Sequence, residues 1–136
     1  MKKITFMDNY PLFTKEIAKE KTSFQTIDEI IAYLYEKIEE DPVAIYIGIF
    51  DHYTYTSGLE THEIADTILD AKNIMCCFGD KLLVPQIAGI RPRSFGVVLT
   101  NDSFVISFLQ APSPVANAKM VDWVNGDWVN GIENLA

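Results

Sequence analysis

The chain has 136 residues, 49% of them hydrophobic and 22% charged, which suits one domain able to bury a core without staples. Nineteen acidic residues against 11 basic ones leave a net charge of −8. The lysines and arginines are scattered, never more than two adjacent, so neither a nucleic-acid partner nor an anionic membrane surface is expected: both need clustered cations.

The opening MKKITFMDNYPLF reaches Asp8 before any apolar run develops, and reads as neither a signal peptide nor a spanning helix. Residues 11–22 alternate apolar and polar and are expected to form the first strand, with a helix as the alternative. Thr26 and Glu29 have capping-box spacing. After them Ile27, Ile30, Ile31, Leu34 and Ile38 fall on one helical face, until Asp41-Pro42 ends the helix. Val43 to Tyr53 is apolar on both faces, which predicts a central strand covered on both sides or one at a dimer interface.

Thr61 is placed to cap a second short helix carrying Ile64, Ile68 and Ala71. Ile74 to Phe78 reads as a short buried strand stopped by Gly79-Asp80. Residues 82–88 are open between a helical turn started by Pro85 and a loop. SFGVVLT and SFVISFL, joined by Asn101-Asp102, predict a hairpin with Phe95, Val97 and Leu99 on the same face as Phe104, Ile106 and Phe108. Both turn residues tolerate positive φ. Ser113-Pro114 starts a helix with Ala116, Met120, Trp123 and Val124 as its apolar stripe. Residues 122–136 form a tail with the duplication DWVNGDWVNG, whose Trp123 and Trp128 are expected to dock on the core or on a partner. The expected architecture is one α+β domain over 1–136: a mainly antiparallel sheet with helices packed on one face, a ferredoxin-like variant.

Chemistry-bearing residues are few. His62, Glu63 and Asp66 mimic a metalloprotease helix, but no third ligand of suitable spacing is evident, and the group reads as a first-turn histidine; no metal or cofactor is expected. Asp51 and His52 end the apolar strand, where polar residues mark either a pocket rim or emergence into solvent. Alternation puts His52 in phase with Tyr46 and Phe50, and Asp51 with Ile47 and Ile49, so the two are not a side-by-side dyad. Cys76 and Cys77 are adjacent, unsuited to a strain-free bridge, and read as reduced thiols of a cytoplasmic protein. Alternation lets at most one reach a site. Arg91 and Arg93 flank Pro92 just before the hairpin. They either hold a carboxylate or phosphate by forked hydrogen bonds or pair with the abundant acids.

Residues 24–112 carry an amphipathic helix (26–40), Phe50-Asp51-His52, Gly58-Leu59-Glu60, Cys77-Phe78-Gly79, a hairpin preceded by Pro92, and Pro112. In this order they resemble the small bacterial domain of unknown function 302. The resemblance implies an α+β sandwich that tends to dimerise and imports no reaction. It departs at Asp80-Lys81, at residues 61–71, which look like an inserted helix, and in the tryptophan tail. The expectation is a cytoplasmic homodimer that binds a small molecule or a partner without catalysis. Asp51, His52, Cys77, Arg91 and Arg93 are its ligand candidates, and Trp123 and Trp128 its interface candidates. The alternative is a small hydrolase or thiol enzyme using His52 with Cys77 or Asp51.

Overall fold

A computed structural model describes residues 1–126. Its centre is one six-stranded antiparallel sheet in the order β1-β2-β6-β5-β4-β3. The strands are β1 (Lys2–Phe6), β2 (Tyr10–Ala18), β3 (Ile45–Phe50), β4 (Ile68–Cys77), β5 (Arg93–Thr100) and β6 (Ser103–Leu109). From β3 to β6 the chain is a meander, and β2 then lies beside β6. The helix α1 (Ile27–Glu40) crosses from β2 to β3, so these two strands run parallel with three strands between them. That split β-α-β is the ferredoxin-like element of the fold, in a wider form.

Local signals act as the residue types dictate. The Thr26 hydroxyl accepts from the Glu29 amide at 3.2 Å, and Glu29 Oε1 accepts from the Gln25 amide at 3.1 Å, which starts α1. All five apolar residues of its stripe are buried against the sheet. Ser113 caps α3 (Pro114–Val124), accepting from the Ala116 amide at 3.3 Å, and Ala116, Met120, Trp123 and Val124 are its buried residues. Both long helices cover the same sheet face, on which Ile74, Phe95, Val97, Phe104 and Ile106 are fully buried. Asp41 locks the corner between α1, β3 and α3: Oδ2 accepts from the Val43 and Ala44 amides at 3.0 and 2.8 Å, and Lys119 Nζ lies 2.9 Å from Oδ1. Lys72 on β4 reaches Asp28 in the first turn of α1 at 2.7 Å.

Several expectations change. The strand expected at 11–22 is β2, and it forms a hairpin with the unforeseen β1 through a turn in which Met7 and Asp8 both take positive φ. The β5–β6 hairpin has the expected faces, but its turn uses no positive φ; the Thr100 hydroxyl closes it, accepting from the Ser103 amide at 3.1 Å. β3 lies at the sheet edge and is not a central strand. No helix forms at residues 61–71. The helical turn stands earlier, as α2 (His52–Ser57), and β4 begins at Ile68, so the short strand expected at 74–78 is in fact ten residues long. Residues 85–90 form a 3-10 helix with Pro85 at its start. Among the described residues, no helix is long and apolar enough to cross a membrane.

Candidate functional site

Among the described residues, the face of the sheet away from α1 and α3 carries no helix of eight residues or more. A row in register crosses it: Thr14 on β2, Ser107 on β6, Gly96 on β5 and Asn73 on β4. Hydrogen bonds stitch neighbouring strands, Thr14 Oγ1 with Ser107 Oγ at 2.9 Å and Asn73 Nδ2 to Ser94 Oγ at 3.0 Å. Gly96 lacks a side chain at the middle of the row. A Cβ there would meet Asn73 Nδ2 and the Ser107 carbonyl at 3.7 Å, so the glycine leaves a shallow hollow.

The segment 89–93 walls the lower end of this hollow and makes a concavity of about 530 Å³. Its floor is Asn73, Ser94, Gly96 and Ser107, and its apolar rim includes Leu12 and Leu109. The volume is that of a site for a small organic molecule. A smaller hollow of about 250 Å³ lies across the same segment, against Phe78, Ala111 and Ala116, and it shares Ile90, Arg91, Arg93 and Pro112.

Both arginines therefore stand at a cleft, and neither pairs with an acid among the described residues. Arg91 Nη1 donates to the Lys81 carbonyl at 2.7 Å. Arg93 Nη1 donates to the Ile90 carbonyl at 3.4 Å, and Nη2 donates to the Leu109 carbonyl. Arg93 thus straps the end of the 85–90 helix to the end of β6, while Arg91 ties down the segment after β4. Arg93 Nε is buried without a hydrogen-bond partner. Burial holds the Arg93 guanidinium below its usual pKa, the sign of a cation whose desolvation is not offset by a neighbouring carboxylate.

Cys77 belongs to this end. It is half-buried on β4, and its Sγ lies 3.0 Å from where a Gly79 Cβ would stand, with Arg91 Nη1 3.5 Å from the same point. Its neighbour Cys76 faces the core, and burial pushes that thiol up to about 12.

Asp51 and His52 lie at the other end. The β3–β4 register sets Ile45 beside Cys77 and Phe50 beside Asn73, so His52 is displaced from Cys77 along the sheet by at least four residues, about 13 Å. Asp51 Oδ1 caps α2, accepting from the Thr54 amide at 3.2 Å, and that bond holds its carboxyl below the usual range. His52 is exposed and stacks on Phe50, ring centroids 5.2 Å apart. It borders a second cleft of about 260 Å³, floored by Ile68, Ala71 and Val98 with Glu63 and Thr56 at its mouth. The five ligand candidates thus split three and two, and the Cys77–His52 pairing is not assembled. His62 sits in a loop with Nδ1 2.7 Å from the Leu59 carbonyl, so it shares no helical face with Asp66. Among the described residues, no three His, Cys, Asp or Glu side chains cluster as metal ligands would.

Trp123 is in the core, stacked on Phe78 at 5.5 Å, while Trp128 lies outside the described residues. A model for a family of unknown function, DUF6858, matches residues 1–127. The chain belongs to that family. DUF6858 replaces the resemblance to the domain of unknown function 302, whose supporting motifs were short and whose inserted helix at 61–71 is not formed. The dimerisation expected of the chain therefore no longer rests on that resemblance. Curated proteins and solved structures yield no match to this DUF6858 chain.

Of the residues at this cleft, the sequence singled out Arg91 and Arg93, with Cys77 nearby, and did not single out Asn73, Ser94, Gly96 or Ser107. The signal was parity: Ser94 and Gly96 alternate with Phe95 and Val97, and Ser107 with Phe108, so small polar residues fall together on one face.

Proposed function

We propose that this DUF6858 chain is a cytoplasmic, non-catalytic module, homodimeric, that binds a small anionic molecule in the cleft between the open sheet face and residues 89–93. One observation carries the reading: Arg93 is a partly buried guanidinium in a protein of net charge −8, yet it has no carboxylate partner among the described residues, and its Nε is unsatisfied. Buried charges are ordinarily paired, so a carboxylate or phosphate supplied by a ligand is the missing complement. Asn73, Ser94 and Ser107 would supply neutral hydrogen bonds, and Leu12 and Leu109 an apolar flank. Cys77 and Arg91 stand beside the same segment, whereas Asp51 and His52 do not contribute.

Isothermal titration with a panel of small carboxylates and phosphate esters tests this. At least one anion is expected to bind wild type and to bind the Arg93→Gln variant at least about tenfold more weakly, the scale of one lost charge-assisted contact. An anion bound equally by both, or a panel with no binder, contradicts it.

A further inference from the structure

The homodimer of that reading is given a surface by the edge strand β3. The two sheet edges differ. β1 carries Lys2 and Lys3, whereas Ile45–Phe50 contains no charge and no proline, and among the described residues its only blunting device is the bulge at Ile47. Edge strands are normally protected by lysine, proline or a cover, because their unpaired backbone groups template another strand. On β3, Ile45, Ile47, Ile49 and Phe50 are all exposed, Ile45 by 64%.

The apolar surface continues at both ends of the strand. At its start, Val43 borders a hollow with Leu83 and Val115; Leu82, Leu83 and Val115 are 74%, 79% and 69% exposed. At its finish, Phe50 touches Tyr55, ring centroids 5.5 Å apart, and Tyr55 is also exposed. Summed along this edge, the exposed parts of these residues amount to on the order of 1,000 Å², comparable with the roughly 800 Å² each partner loses in a standard interface.

We infer that β3 pairs antiparallel with β3 of a second copy of this chain, and that residues 82–84 of each copy seat on the Phe50–Tyr55 corner of the other. The fit to a second copy comes from the layout. A two-fold axis at the middle of β3 brings the start of one strand to the finish of the other, so the two apolar ends meet each other. The same operation puts the two Asp51 carboxylates at opposite ends of the paired strands, so no like charges face each other. Such an isologous contact closes at two copies.

Light scattering after gel filtration tests the inference. Wild type is expected at twice the 15.4 kDa chain mass. Ile47→Lys is expected to weaken the dimer at least about tenfold with an unchanged circular-dichroism spectrum, because the residue is half exposed and a lysine at the edge is a known block to pairing. Leu83→Asp tests the loop independently and is expected to act in the same direction. Phe6→Lys on the opposite edge should leave the dimer intact. A monomeric wild type at about 100 µM overturns the homodimer and this surface together. A dimer untouched by both Ile47→Lys and Leu83→Asp overturns the surface alone. Neither result bears on Arg93, whose anion titration is read separately.

Discussion

On the face covered by α1 and α3, β5 and β6 present Phe95, Val97, Phe104, Ile106 and Phe108, none more than 2% exposed. On the other face the same two strands present Ser94, Gly96, Val98, Val105 and Ser107, all half-buried. Adjacent residues, pointing opposite ways, serve different ends. The covered face has the large, interdigitated side chains that hold the fold. The open face has small or neutral polar groups whose hydrogen bonds are met within the sheet, together with a glycine that leaves room. Stability should therefore respond to substitutions on the first face and ligand binding to those on the second.

The largest effect is expected from Phe104→Ala, which removes a fully buried ring. It should lower stability by about 3–5 kcal/mol in urea unfolding. A loss under about 1 kcal/mol would mean that this face is not the core.

Asp41→Ala comes next, at roughly 2 kcal/mol, since it strips two backbone amides and Lys119 of their shared acceptor. Burial opposes ionisation of Asp41, but Lys119 and the Ala44 and Val43 amides outweigh it and hold the carboxyl below 3.8. A depressed folded pKa gives stabilisation that is present above 3.8 and lost as pH falls through the folded value. The difference between wild type and variant should therefore shrink as pH drops below 3.8, and a gap that widens there would reverse the sign.

The open face should behave otherwise. Gly96→Ala places a methyl in ordinary contact at 3.7 Å and relieves the entropic cost of a strand glycine, so stability should rise by up to about 1 kcal/mol. Gly96→Leu should fill the hollow and abolish anion binding in the same titration used for Arg93. Binding by Gly96→Leu equal to wild type would place the ligand elsewhere.

The smallest expected effect is chemical. Native iodoacetamide should add one label, on half-buried Cys77, and spare Cys76. Peptide mapping that finds Cys76 labelled first would invert the assignment of the two faces at the end of β4.

Sequence signals carried by a few neighbouring residues were legible. Thr26 with Glu29, Ser113 with Pro114, and the alternation through SFGVVLT and SFVISFL each act within a turn or a strand pair, and the helices and hairpin stand where those signals put them. Edge or centre was not legible for β3, because an apolar strand reads alike when it is buried and when it lies exposed at a sheet edge. The helix expected after Thr61 does not form: no helix starts there, Ile64 stays in a loop and Ile68 already belongs to β4. Asp51 caps a helix that has no buried residue, so no apolar periodicity announced it. β1 was hidden by lysines and by a turn that uses Met7 and Asp8 in place of glycine.

At the candidate site, the pair Arg91 and Arg93 was legible as a cationic segment, and pairing with nearby acids was the more ordinary expectation. Neither arginine has such a partner among the described residues; Arg91 donates to the Lys81 carbonyl and Arg93 to those of Ile90 and Leu109. Spatial relations of that kind depend on the register of distant strands, as does the separation of His52 from Cys77.

Native mass spectrometry of the protein purified from its own cells tests the central claim most directly. Wild type should carry a small molecule that gentle activation removes as an anion, and the Arg91→Gln/Arg93→Gln double variant should arrive without it. The same molecule retained at equal occupancy by the double variant would contradict the arginine cleft as the binding site.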